Sequence, residues 1–165
     1  MVSGTINGMR GFSLIEVLVA VLVLSIGLLG LAGLQKTSIS NTHSSYLRSQ
    51  ANYLIYDLID RMRANRATAK TGSYNIPFDT APNGTTNCET AICSAADMAV
   101  FDRNQWKCLL GKWNANSVCN TTLSIVGRLP DGDGEIAQNG DVFSVRVRWI
   151  DRDGQSLTLE VNTEL

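Results

Sequence analysis

The chain has 165 residues, 44% hydrophobic and 18% charged, which suits one domain of ordinary size. Its 14 Lys and Arg nearly balance 15 Asp and Glu, with no basic run and no acidic tail, so nucleic acid is excluded as an expected partner. A single histidine, His43, and no G-x-S-x-G, H-E-x-x-H or phosphate-loop pattern leave no nucleophile with its base; neither an enzyme nor a cofactor is expected.

In chain order the first predicted element is the apolar run 12–34, which holds one ionisable side chain, Glu16. At about 1.5 Å per residue, such a run spans a hydrocarbon core of roughly 30 Å. It is too long for the apolar part of a secretory signal, and no small-x-small site follows Leu34. Arg10, on the short N-terminal side, gives a weak positive-inside orientation. Glu16 is the anomaly, because a carboxylate inside a membrane helix is costly unless neutralised or paired, and the run supplies no Lys, Arg or His. One explanation is local: a capping box with Ser13 as N-cap and Glu16 near the positive end of the helix dipole. The other is a partner from outside the run. Gly27, Gly30 and Gly33 recur at steps of three, which fits either close helix approach in a membrane or a loosened stretch of helix.

Beyond Lys36 the pattern becomes amphipathic. Ile39, Tyr46, Leu47, Leu54, Leu58, Ile59 and Met62 recur at helical spacing, with Arg48, Asp57, Asp60, Arg61 and Arg63 between them. No proline occurs between 12 and 76, so one helix is predicted from near Phe12 to about Ala67. Residues 71–90, rich in Gly, Asn, Thr and Pro, read as a long surface loop closed by Cys88 and Cys93. A second helix is predicted after Ser94, where Ser94 and Asp97 have capping-box spacing and Met98, Phe101, Gln105 or Trp106, and Leu109 follow, until Gly111 stops it. Residues 112–128 give no clear element. Two strands follow, with Phe143, Val145, Val147 and Trp149 alternating in one and Leu157, Leu159 and Val161 in the other, around the hairpin signal at 151–154. A shorter strand near 135–138 would complete an antiparallel sheet.

Cys88, Cys93, Cys108 and Cys119 all lie on one side of the apolar run, and an even number there favours disulfides. Zinc is the alternative, but no C-x-x-C is present and His43 is remote. Of three possible pairings, Cys88–Cys93 with Cys108–Cys119 is preferred because each closes a short local loop. Asp131, Asp133 and Glu135 alternate acidic oxygens that would suit calcium on a membrane-anchored module, yet the twelve-residue calcium loop is incomplete. A glycine turn is the preferred reading there, with no metal.

The residues at 11–20, Gly-Phe-Ser-Leu-Ile-Glu-Val-Leu-Val-Ala, resemble the class III signal of type IV prepilins, G-F-[ST]-L-[IL]-E followed by an apolar helix. The resemblance implies cleavage between Gly11 and Phe12 by a prepilin peptidase, N-methylation of Phe12, and a role for Glu16 in assembly, where it meets the cationic amine of a neighbouring subunit. It implies the α+β pilin fold: a long N-terminal helix, half transmembrane and half amphipathic, packed on a small antiparallel sheet with a second short helix. The parts would be a removed leader at 1–11, a membrane and filament-core helix at 12–34, its amphipathic continuation at 35–67, and a globular head at 68–165. The patterns at 93–106 and 129–134, with the run 22–35, are further similar to minor pilins known as type IV pilus modification proteins; the stretch 109–128 departs from them. For such subunits the implied partners are other minor pilins, the major pilin, the assembly platform and the inner membrane. The implied location is the inner membrane with a periplasmic head, then the pilus at the cell surface. The implied role is priming of pilus assembly, with adhesion and twitching motility. A minor pseudopilin of type II secretion carries a nearly identical signal and is the alternative.

Overall fold

The computed structural model describes residues 11–84 and 86–165. Its packing separates two units, one ending at Asn41 and the other Thr42–Leu165. The first helix, α1, covers Leu14–Ala64, with Glu16 in its first turn and Arg61 and Arg63 in its last, charges that complement the helix dipole at both ends.

α1 stops at Ala64, short of the expected end at about Ala67. Asn65 leaves the helix with φ −112° and ψ 39°, and a further turn, α2, covers Arg66–Ala69. The cause is tertiary: the Asn65 side-chain amide donates to the Ala95 carbonyl at 2.7 Å and to the Tyr74 hydroxyl at 3.3 Å. Those bonds hold the residue in place where helical propensity alone would let the helix continue.

The helix α3, Ala95–Leu110, starts and stops where the sequence indicates. Ser94 accepts from the Asp97 N–H at 3.2 Å and donates its own hydroxyl to the Asp97 carboxylate at 2.7 Å. Gly111 ends the helix at φ 122°, where the Leu129 carbonyl lies too close for any side chain. The stretch with no clear pattern contains a single π-helical turn, Val118–Thr122.

Three strands, β1 (Asp133–Asn139), β2 (Val142–Ile150) and β3 (Ser156–Glu164), form an antiparallel sheet in that order. The register aligns Ile136 with Val145 and Val145 with Val161, so alternate residues share a face. Phe143, Val145, Val147 and Trp149 of β2 are buried against Leu47, Ala51, Leu54, Ile55, Leu58, Ile59 and Met62 of α1. The fold is thus an apolar N-terminal helix whose later turns pack on a three-stranded sheet, with further short helices, consistent with the pilin fold.

The loop expected at 71–90 is only partly a surface loop. Tyr74 and Ile76 are buried, and Ile76 exchanges backbone bonds with Ile136 at 3.0 and 2.9 Å. Two apolar residues two apart gain enough burial to bind a polar segment to the β1 side of the sheet.

Candidate functional site

At the start of α1 the chain passes from exposed, non-helical Gly11, Phe12 and Ser13 into the helix, where the Ser13 carbonyl accepts the N–H groups of Glu16 at 3.0 Å and Val17 at 3.3 Å. Phe12 is 83% exposed and Leu14 86%, and every residue from 11 to 34 is exposed. This one helix is long and apolar enough to cross a membrane. Two hydroxyls in its earlier half are turned back on its own backbone: Ser25 donates to the Val21 carbonyl at 2.7 Å, and Thr37 to the Gly33 carbonyl at 3.2 Å. Such bonds let polar side chains sit in a medium that offers no partners. Glu16 has no comparable provision; none of the ion pairs among the described residues includes it. The leader expected at 1–11 lies, except for Gly11, outside the described residues.

The other expected site residues fall within Thr42–Leu165. Cys88 is bonded to Cys93 and Cys108 to Cys119, five and eleven positions apart. Asp131, Asp133 and Glu135 do not act together. Asp131 is exposed with φ 48°, Glu135 pairs with Arg146 at 2.7 Å, and Asp133 is fully buried. Among the described residues no group of three His, Cys, Asp or Glu is arranged to hold a metal.

Asp133 is the centre of an internal charge cluster. Its Oδ1 accepts from Lys107 Nζ at 2.6 Å and from the Gly134 N–H at 2.8 Å, and its Oδ2 from the Asp79 N–H at 2.7 Å. Lys107 is itself fully buried, donating also to the Pro77 carbonyl at 3.1 Å. Burial lowers the Lys107 pKa against the pull of Asp133. For Asp133, burial pushes upward, but Lys107 and the two backbone donors outweigh it and hold the carboxyl below its ordinary range. Asp79 extends the cluster at the surface by gripping Lys112 and, at 2.6 Å, Arg148, and these cations bring its pKa down to about 2. The Arg148 guanidinium lies 4.5 Å from the centre of the Phe78 ring. No sequence signal marked Lys107 as buried; its partner Asp133 stands 26 positions further on, at the start of β1.

Asp102 and Trp106 are parts of the core. Trp106 Nε1 donates to the Leu54 carbonyl of α1 at 3.0 Å. Asp102 accepts from the Tyr74 hydroxyl at 2.6 Å, and burial followed by this carboxylate raises the Tyr74 pKa far above its usual range. These two residues tie α3 to α1 and to the 70s loop. Beside them an open cleft of about 420 Å³ is lined by Arg61, Asn65, Ser94, Met98 and Asp102, with Arg61 already held by Asp57 and Asp102.

Comparison with known families bears on both units. Residues 6–32 match the prokaryotic N-terminal methylation motif, and residues 33–104 match the family described as type IV pilin Tt1218. No curated protein and no solved structure matches the chain.

Proposed function

We propose that this chain is the precursor of a minor pilin of the type IV pilus, of the kind called PilV or type IV pilus modification protein. The observation that carries the reading is Glu16: a carboxylate in the first turn of α1, within a run, 14–34, that is otherwise without charge, is exposed throughout and holds no Lys, Arg or His. A methylation motif over 6–32 and a type IV pilin match over 33–104 support it. A prepilin peptidase cuts between Gly11 and Phe12 and the new amine of Phe12 is methylated, remaining cationic. Residues 12–34 first span the inner membrane, with the later part of the chain in the periplasm, and then enter the filament core. There Glu16 meets the Phe12 amine of a neighbouring subunit. In low dielectric such a pair is strongly directional, while desolvation offsets much of its Coulomb gain, so its contribution is register and choice of neighbour. With other minor pilins the chain primes assembly of the major pilin on the assembly platform and thereby affects adhesion and twitching.

Two measurements test this. Mass spectrometry of sheared filaments should find the chain beginning at methylated Phe12; a chain that keeps residues 1–11 in assembled filaments sinks the proposal. Glu16→Ala should leave cleavage intact and reduce incorporation, so recovery at the wild-type level counts against the pairing. A deletion strain that keeps its surface pili but loses exoprotein secretion would instead make the chain a minor pseudopilin.

A further inference from the structure

The strand β3 pairs with β2 on one side only and forms an edge of the sheet. Edges of folded proteins are ordinarily blunted by Lys, Pro, a bulge or shortness. This one is nine residues long and contains no Lys, Arg or Pro.

The phase of its backbone follows from the turn. The Asp151 N–H donates to the Gln155 carbonyl at 2.8 Å, and Gly154 takes φ 81°, the left-handed residue of a three-residue hairpin. Bonded pairs alternate along an antiparallel ladder, so Leu157, Leu159 and Val161 bond to β2, and the N–H and C=O groups of Thr158, Glu160 and Asn162 point outward. On the helix side Leu157, Leu159 and Val161 pack on the core yet stay partly exposed, as expected where a further strand is missing.

Charge selects what fits there. Glu160 and Glu164 stand on the solvent face, and none of the ion pairs among the described residues includes either. The cross-strand neighbour of Glu160, Arg146, is engaged by Glu135. Arg63 and Arg66 reach only the far end, at Thr163 Oγ1 and the Leu165 carbonyl. Because β3 has no basic residue, pairing with a second copy of β3 gives neither carboxylate a counter-charge in any register, and full antiparallel overlap sets Glu160 against Glu160.

We infer that the outer edge of β3 is a docking edge for an extended segment of a different protein, which adds as a fourth, antiparallel strand and places two basic residues, four apart, opposite Glu160 and Glu164. Alternate residues of that segment are apolar and cover Leu159 and Val161. The inference stands apart from the pilus reading and needs neither cleavage nor Glu16.

The test uses the full chain in detergent micelles and a nine-residue peptide that alternates valine with threonine or lysine, its two lysines four apart. At about 1 mM peptide, amide exchange at Thr158, Glu160 and Asn162, whose N–H groups make no bond to β2, should slow about tenfold, the factor for a Kd near 0.1 mM. The variant carrying Glu160→Lys and Glu164→Lys should lose this protection and regain it with the same peptide bearing glutamates for lysines. Should that variant not fold, Thr158→Pro, which takes away an outward N–H and no bond to β2, should abolish protection at Glu160 and Asn162. No protection, equal protection by the glutamate peptide on the unaltered chain, or slowing that grows with protein concentration without peptide would each overturn the inference, the last in favour of self-pairing.

Discussion

Residues 14–34 and 47–62 lie on one helix and draw on similar apolar side chains, yet they meet opposite fates. From 47 to 62 the apolar residues occupy one face, and Leu54, Ile55 and Leu58 are wholly buried against the sheet, while Asp57, Asp60 and Arg61 take other positions. From 14 to 34 they occupy every face and all are exposed. A one-sided pattern is satisfied by elements that the same chain folds against it. A uniform pattern needs an apolar environment that the chain does not supply, such as lipid or a bundle of like helices. Glu16 obeys the same division, since the buried carboxylate Asp133 has its lysine within the fold, while none of the ion pairs among the described residues includes Glu16.

The division is open to direct attack. The largest effect is expected for Asp133→Ala, which leaves Lys107 charged and buried without its partner; chemical denaturation of the Thr42–Leu165 unit should show a loss of about 3–5 kcal/mol. A Lys107→Met, Asp133→Leu double change of similar volume should recover most of it. Next comes a matched pair of truncations. Leu58→Ala should cost about 2–5 kcal/mol by opening a cavity, whereas Leu22→Ala should change the same unfolding transition by less than about 0.5 kcal/mol. A comparable loss in both would mean that the exposed run contributes to the folded core after all.

The disulfides should rank by the length of chain they close. Replacing Cys108 and Cys119 by Ser should destabilise by about 2–5 kcal/mol, and replacing Cys88 and Cys93 by less, both read as shifts in denaturant midpoint. The smallest effect is electrostatic. The Asp79 pKa is lowered from 3.8 to about 2, first by Lys112 and then by Arg148, so its charged form is favoured by folding. The contribution is full above 3.8 and is lost as pH falls through about 2. Asp79→Asn, which tolerates the same φ of 60°, should flatten the fall in stability across that interval in parallel urea titrations.

Much of this arrangement was legible beforehand because it is local. Ser94, Gly111 and the alternation from Phe143 to Trp149 act through neighbours a few positions away, and α3, β2 and β3 form where these signals stand. The misses are non-local. Asn65 breaks the helix because Ala95 and Tyr74 offer it hydrogen bonds, and the 70s loop is drawn inward because Ile76 finds Ile136. Lys107 sits in a helical pattern that any solvent-facing lysine would satisfy, and its burial is matched by an aspartate 26 positions away on another element. The candidate site divides similarly: the Gly11, Phe12 and Glu16 motif is contiguous, while the outward phase of β3 follows only from its turn bond to Gln155.

Both covalent bridges close within residues 88–119, so neither staples α1 to the sheet. A pull that separates α1 from β2 is resisted by the interlocked faces from Leu47 to Met62 and from Phe143 to Trp149. Mechanical strength along that seam therefore comes from many weak contacts yielding together, and it should depend on loading rate while being indifferent to reducing agents.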